Sequence, residues 1–367
     1  MNDHFYKQLT IENFRGIKSL EIDDLARVNL FVGRNTCGKT SVLEAAFLLT
    51  GMSNPTLLFM MEKQRGVAIR DSSDLKNFFY NKKHSEKFRL SGSHRTENRE
   101  LEVDLVYGIL DVDRITAIST NGSRNGEGKR PTQSDPFSAA FDKVVAGLSF
   151  DFTYSRSRRK NSQFNATIYL VEPGDEPQFI LEKRDEYKDP ISALFQHHSF
   201  DVNSVDKMLG EKHQDMILSY LQLVEPKVQN IKIDLNRGVM VDIGRDNFLP
   251  IRHLGGGIVR ILATLSNIYR AENGIVMIDE IENGLHAASI KQMWEMVLKA
   301  SRQNHTQIFM TTHSSDVIEG LSMALQDKSD SVACFWLHKL ADDRLKAHRY
   351  SPDALRDALD LGVDIRH

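Results

Sequence analysis

Hydrophobic and polar positions alternate on both sides of Arg15-Gly16 in LTIENFRGIKSLEI (residues 9–22), a pattern that predicts two short strands around a turn. VNLFVG (Val28 to Gly33) is instead a continuous apolar run, as expected of a strand covered on both faces. It leads through GRNTCGKTS into VLEAAFLLTG, which reads as a helix stopped by Gly51. From residue 52 to about 200 the pattern loosens. Arg99 to Leu110, LSFDFTYS and ATIYLVE alternate as antiparallel strands do, and Asn121 to Asp135 reads as a polar, glycine-rich loop. Ser204 to Val224 has a helical period that stops near Pro226.

The pattern tightens again from Ile251. HLGGGIVRILATLSNIYR suggests a glycine turn feeding a helix, and GIVMIDE, QIFMTTHS and VACFWLHKL are buried strands. Between the first two of these, Ile290, Met293, Trp294, Val297 and Leu298 fall on one helical face. Buried strands alternating with amphipathic helices predict an α/β fold with a mostly parallel sheet flanked by helices, built from both ends of the chain. Added antiparallel strands and an inserted α+β or helical lobe fill the middle. The expected division is an N-terminal part over 1–60, an insertion over 61–240 and a C-terminal part over 241–367. There is no internal repeat or sustained heptad.

Composition narrows the class without choosing a function. The 367 residues are 41% hydrophobic and 26% charged, with a formal charge of −3, which is ordinary for a globular protein and argues against a wholly basic nucleic-acid binder. Cys37 and Cys334 are the only cysteines, so no disulfide framework is expected. No apolar run approaches the roughly 20 residues of a membrane span. MNDHFYKQLT lacks the basic and apolar regions of a signal peptide. The expectation is a cytoplasmic protein with no membrane partner.

The chemistry sits at strand ends. Gly33-Arg34-Asn35-Thr36-Cys37-Gly38-Lys39-Thr40, followed by Ser41, matches G-x-x-x-x-G-K-[ST] between a buried strand and a helix. Glycines let successive backbone N–H groups face phosphate oxygens, and the helix N-terminus adds positive potential. Lys39 is expected to reach the β- and γ-phosphates of ATP, and Thr40 to offer its hydroxyl to Mg²⁺. Asp279 and Glu280 close the strand IVMIDE, where ligands of parallel sheets bind. Asp279 is placed to hold the Mg²⁺ shell and Glu280 to polarise the attacking water. His313, ending the next strand, is placed to bond the γ-phosphate or that water. Cys37 is either a redox-sensitive thiol at a helix start or a tolerated small residue. Arg156, Arg158, Arg159 and Lys160 form a dense basic cluster, either a contact for nucleic-acid phosphates or an acidic partner, or a solvated hairpin end.

In order, FRGIK…VNLFVGRNTCGKTSVLEA, HLGGG, IVMIDEIENGLH and FMTTHSSD resemble the elements of ABC-type ATPase heads. The resemblance is closest to the RecF-like and OLD-like (overcoming-lysogenisation-defect) branch, which includes ATPase components of phage-defence systems. It is strong over about residues 7–50 and 245–320 and looser over the final DLGVDIRH. It implies a P-loop NTPase fold of the ABC-head type. Gly33 to Ser41 would be the Walker A loop, Asp279 and Glu280 the Walker B pair, Glu282 to His286 the D-loop region, and His313 the switch histidine. Leu254-Gly255-Gly256-Gly257 occupies the place of the signature loop, which in the family binds the γ-phosphate held by the opposite subunit of a homodimer. Here Gly255 replaces the signature serine and Ile258 the following polar residue, so a plain helix-entry turn is the alternative. Arg260 either adds charge there or is solvated. Arg15 is either nucleotide-proximal or an exposed turn residue. Gln64, Asn77 and Asn81 are all possible Q-loop residues.

Many OLD-like proteins continue into a Toprim nuclease, but only 54 residues follow His313, too few for one. The 240 residues between Lys39 and Asp279 leave room for a compact lobe and not for SMC-type arms. The expected function is therefore an ATP-hydrolysing, dimeric regulator of a separate effector, such as a nuclease or toxin, in anti-phage defence. A RecF-like DNA-repair ATPase that binds nucleic acid, and a nucleotide-gated scaffold that hydrolyses ATP poorly, are the alternatives.

Overall fold

The structure, a computed structural model of the chain, describes residues 6–94, 97–109, 115–118, 144–156, 162–171, 178–183, 193–196, 200–210, 213–325 and 332–361. In chain order the elements are β1 (Gln8–Phe14), β2 (Ile17–Ile22), β3 (Val28–Val32), α1 (Lys39–Thr50), α2 (Leu57–Gln64), β4 (Phe88–His94), β5 (Glu97–Ile109) and β6 (Ile115–Ile118). There follow β7 (Val144–Arg156), β8 (Ser162–Val171), β9 (Gln178–Lys183), β10 (Ala193–Gln196), α3 (Val202–Gly210), α4 (Gln214–Leu221), β11 (Asn230–Asp234), β12 (Gly238–Asp242) and β13 (Leu249–Pro250). The chain then forms α5 (Gly256–Arg270), β14 (Ile275–Ile278), α6 (Ile290–Gln303), β15 (Gln307–Thr311), α7 (Ser315–Ala324), β16 (Val332–Lys339), β17 (Leu345–Tyr350) and α8 (Pro352–Asp360).

One sheet runs β10-β14-β15-β3-β16-β17, parallel except for β17. Every residue of β3, β14 and β15 is buried, which accounts for their unbroken apolar runs. Their side chains alternate between two cores. Phe31 of β3 stacks between Phe309 and Phe335 of the neighbouring strands on one face, while Val28, Leu30 and Val32 join the core built with α5, α6 and α7 on the other. The five apolar residues at helical spacing on α6 are all buried there.

The second sheet, β2-β1-β4-β5-β7-β8-β9-β6, is antiparallel. The expected hairpin is present as β1–β2, with positive φ at Arg15 in its turn and at Asn13 near the end of β1. It pairs with β4, so the two first strands belong to this sheet and not to the parallel one. In the opposite exchange, the four-residue β10 from the middle of the chain joins the parallel sheet beside β14. A strand that short carries too little periodicity to be seen in sequence. The helical pattern over Ser204 to Val224 also divides, into α3 and α4, with the glycine-ended first helix stopping at Gly210.

Helix α1 lies between the two sheets and is buried from Ser41 through Thr50. Burial on all sides explains why its sequence is apolar without a polar stripe. Glu44, in its middle, is therefore paired: Arg15 Nε lies 2.8 Å from one of its oxygens and Arg65 Nη2 2.8 Å from the other. Arg15 also meets Glu62 at 2.7 Å. Burial still pushes the Glu44 carboxyl above its usual range, against the two arginines that lower it. At the C-terminal end of α1, the buried Arg99 of β5 donates to the Thr50 carbonyl at 2.7 Å.

Candidate active site

Between β3 and α1 the chain makes the loop that the glycine spacing predicts. Gly33 (φ 147°) and Gly38 (φ 94°) adopt conformations that disfavour side chains, and a methyl on Gly33 would sit 2.5 Å from the Leu337 carbonyl oxygen. Thr36 is also left-handed, at φ 66°. The Lys39 ammonium folds over the loop and donates to the carbonyls of Gly33 (2.8 Å) and Arg34 (3.0 Å). Below it opens a cleft of about 400 Å³, lined by Gly16, Asn35, Thr36, Gly38, Lys39, Thr40, Ser41, Asp279, Glu280, Thr311 and His313.

Asp279 is 239 residues from Thr40, yet the Thr40 hydroxyl donates to its carboxylate at 3.0 Å. The Thr311 hydroxyl donates to the same carboxylate and accepts the Glu280 backbone N–H at 2.9 Å. Glu280 is a non-glycine residue at φ 48°, a strained turn of the kind that clusters at functional sites. Arg260, buried on α5, pins that turn from beneath, donating to the carbonyls of Asp279 (2.6 Å) and Glu280 (2.9 Å). Desolvation lowers the pKa of Arg260, opposed by the charges of Glu282, Asp279 and Glu280. Asn283 donates to Glu280 at 2.7 Å and so orients the carboxylate. His313 Nδ1 lies 3.1 Å from Glu282 Oε1 and 3.7 Å from Glu280 Oε1.

Of the residues singled out in sequence, Asn35, Thr36, Gly38, Lys39, Thr40, Ser41, Asp279, Glu280 and His313 converge on this cleft. Gly33, Arg34 and Cys37 shape the loop without lining the cleft. Cys37 is half-buried, and burial raises its thiol pKa more than Lys39 lowers it, opposite to the depressed value that a redox-switch thiol needs. Gly255 to Gly257 stand apart from the cleft: Gly255 and Gly256 are exposed, whereas Gly257 packs on Gly284. Arg15 is buried with Glu44 and Glu62, not exposed in a turn, and Arg260 is buried rather than solvated. Gln64, Asn77 and Asn81 do not line the cleft. Arg158, Arg159 and Lys160 of the basic cluster, the loop 121–135 and the tail from residue 362 lie outside the described residues.

Sequence inspection missed Thr311, whose only local signal was the threonine pair in TTHS, and it took Glu282 and Asn283 only as part of the D-loop region, without the contacts they make to His313 and Glu280. The donor set also fits a hard divalent cation. Thr40 and Asp279 offer two oxygen groups side by side, and among the described residues no group of three or more His, Cys, Asp or Glu forms an all-protein metal cage. Mg²⁺ suits such a site because it keeps waters and takes phosphate oxygens.

The glycine loop after β3, the acidic end of β14 beside it and the antiparallel sheet packed over α1 define a P-loop ATPase fold of the ABC-head type. The chain belongs to the family described as "AAA domain, putative AbiEii toxin, Type IV TA system", whose model matches residues 28–319. It is similar to an "ATP/GTP phosphatase" of Helicobacter pylori, at 21% identity over 345 residues, covering 88% of this chain and 89% of that one. It is also similar to the "DNA replication and repair protein RecF" of Leptospira interrogans, at 23% identity over 370 residues, covering 88% and 96%. Among solved structures, the Smc head domain with an extended coiled coil, bound to the C-terminal domain of ScpA and derived from Pyrococcus furiosus, overlays with a TM-score of 0.49 at 9% identity, covering 97% and 99%. Among the described residues no helix is long and apolar enough to cross a membrane.

Proposed function

We propose that this chain binds Mg²⁺-ATP in the Lys39 cleft and hydrolyses it, and that ATP joins two copies head to tail. The observation that carries the reading is the convergence of Lys39, Thr40, Asp279, Glu280 and His313 on one cleft under a phosphate loop. Lys39 exchanges its two carbonyl contacts for phosphate oxygens, trading neutral acceptors for charged ones. Thr40 and Asp279 would hold Mg²⁺, which when bound neutralises developing charge on the phosphates. Glu280, steered by Asn283, orients the attacking water and accepts its proton. His313 bonds the γ-phosphate.

The exposed turn at Gly255 and Gly256, at the start of the 15-residue α5, supports the dimer. It offers backbone N–H groups away from its own cleft, where a partner copy's γ-phosphate would meet them. By this reading the closed dimer signals to a separate effector, a nuclease or toxin, in anti-phage defence of the OLD-like kind, in the cytoplasm. The likeness to RecF over 88% of the chain favours a second reading, a DNA-repair ATPase that binds nucleic acid.

Glu280→Gln is the test of the site. It should leave ATP affinity intact, lower turnover about 10²- to 10⁴-fold and lengthen the life of an ATP-bound dimer measured by light scattering. Undiminished turnover in that variant would sink the role of Glu280. ATP-dependent, salt-sensitive DNA binding without an effector complex would favour the second reading.

A further inference from the structure

Glu282 belongs neither to the glycine loop nor to the acidic pair that ends β14, yet it contacts both the backbone and the ring of His313. One of its oxygens, Oε1, accepts the His313 backbone N–H at 3.0 Å and lies 3.1 Å from His313 Nδ1. Glu280 is further from the ring, at 3.7 Å, and its other oxygen is held by Asn283. The Glu282 side chain is only 12% exposed, whereas those of His313 and Glu280 are each 48% exposed. The more buried carboxylate is therefore the fixed partner and the imidazole the group it holds. Buried Arg260 lies close enough for the Glu282 charge to act on it.

We propose that Glu282 is the positioning residue for His313. It grips the backbone and ring of the same histidine, keeps the proton on Nδ1 and thereby makes Nε2 the ring atom that carries the lone pair. An imidazole at a half-exposed strand end has two soft side-chain torsions, and attachment of N–H and Nδ1 to one oxygen removes most of that freedom. The nitrogen that a histidine uses is set by the bond its other nitrogen makes. The inference rests on the reading of His313 as the phosphate-facing group of an ATPase.

Two measurements test it. In ¹⁵N-histidine-labelled wild-type protein, with the His313 signals assigned by their loss in His313→Gln, the ring should carry its proton on Nδ1; a proton on Nε2 overturns the proposal. In steady-state ATPase assays, Glu282→Ala should lower turnover about 10- to 100-fold with KM nearly unchanged. Glu282→Gln, whose amide oxygen still accepts, should recover most of that loss. In a His313→Ala background, Glu282→Ala should add little. An equal fractional loss in both backgrounds overturns the proposal, since Glu282 would then act independently of the histidine. A wild-type protein without ATP turnover would defeat the proposed function, while the labelling measurement would still decide the tautomer.

Discussion

The chain makes two glycine turns at helix starts, and they are built differently. In the Gly33–Gly38 loop each glycine is demanded by the protein's own fold: both have positive φ, and a methyl on either meets another part of the same chain within 3.0 Å. The loop closes on itself through Lys39 and makes one wall of a cleft. At Gly255 and Gly256 a methyl would meet nothing within 4 Å; Gly255 is constrained only by its own φ of 102°, and Gly257 only by its neighbours, with the Gly284 carbonyl oxygen at 2.6 Å. The first turn is completed within one copy. The second has space in front of it, as the proposed contact with a second copy's nucleotide requires.

Substitutions can break this contrast. The largest effect is expected from Gly33→Ala, which combines an unfavourable φ with backbone overlap. It should cost about 2–5 kcal/mol and lower the melting temperature by several degrees, together with loss of ATP binding. Gly257→Ala should be the milder of the two, about 1–3 kcal/mol by thermal melting, because its φ is not in the positive range and only the overlap with Gly284 and the 3.2 Å approach to Val224 must relax. Gly256→Glu sharpens the comparison most. An acidic residue in the first turn of α5 suits the helix dipole, so stability should change by less than about 0.5 kcal/mol. The same carboxylate would repel a partner's phosphate, and the ATP-dependent dimer should weaken about 100-fold in light scattering. A dimer as tight as wild type would remove the second turn from the ATP interface.

The smallest effect concerns Cys37, inside the first turn. Its raised pKa means that less thiolate is present at pH 7.5 than in an ordinary thiol, and that reactivity grows only as the pH climbs past the usual thiol range. Iodoacetamide should therefore label it more slowly than free cysteine, with the gap narrowing at high pH. Cys334, fully buried with its pKa pushed to about 12, should not label in the folded protein.

The loop, the strand ends and most cleft residues could be read from the sequence because each rests on a local rule: eight residues set the loop, and an apolar run followed by two acids sets a strand end. The two arginines left open in sequence show where such rules stop. Arg15 and Arg260 look alike as charged residues beside a turn or on a helix, but both are buried, one by Glu44 and Glu62 and the other by the carbonyls of Asp279 and Glu280. Whether an arginine is buried depends on partners that distant segments supply, and no window of neighbouring residues contains them. The same holds for Thr311, which bonds Asp279 across 32 residues, and for Glu282, which reaches His313 across 31.

Sequence alone determined the glycine loop and the alternation of buried strands and helices, and it singled out Lys39, Thr40, Asp279, Glu280 and His313, which meet in one cleft. Only the tertiary structure decided that β1 and β2 belong to the antiparallel sheet and β10 to the parallel one, that α1 is enclosed between them, and that His313 is held by Glu282. The physical reason is range. Backbone geometry and periodicity are properties of a few consecutive residues, whereas strand partners, charge burial and the aim of a side chain are fixed by groups that meet only once the chain has folded.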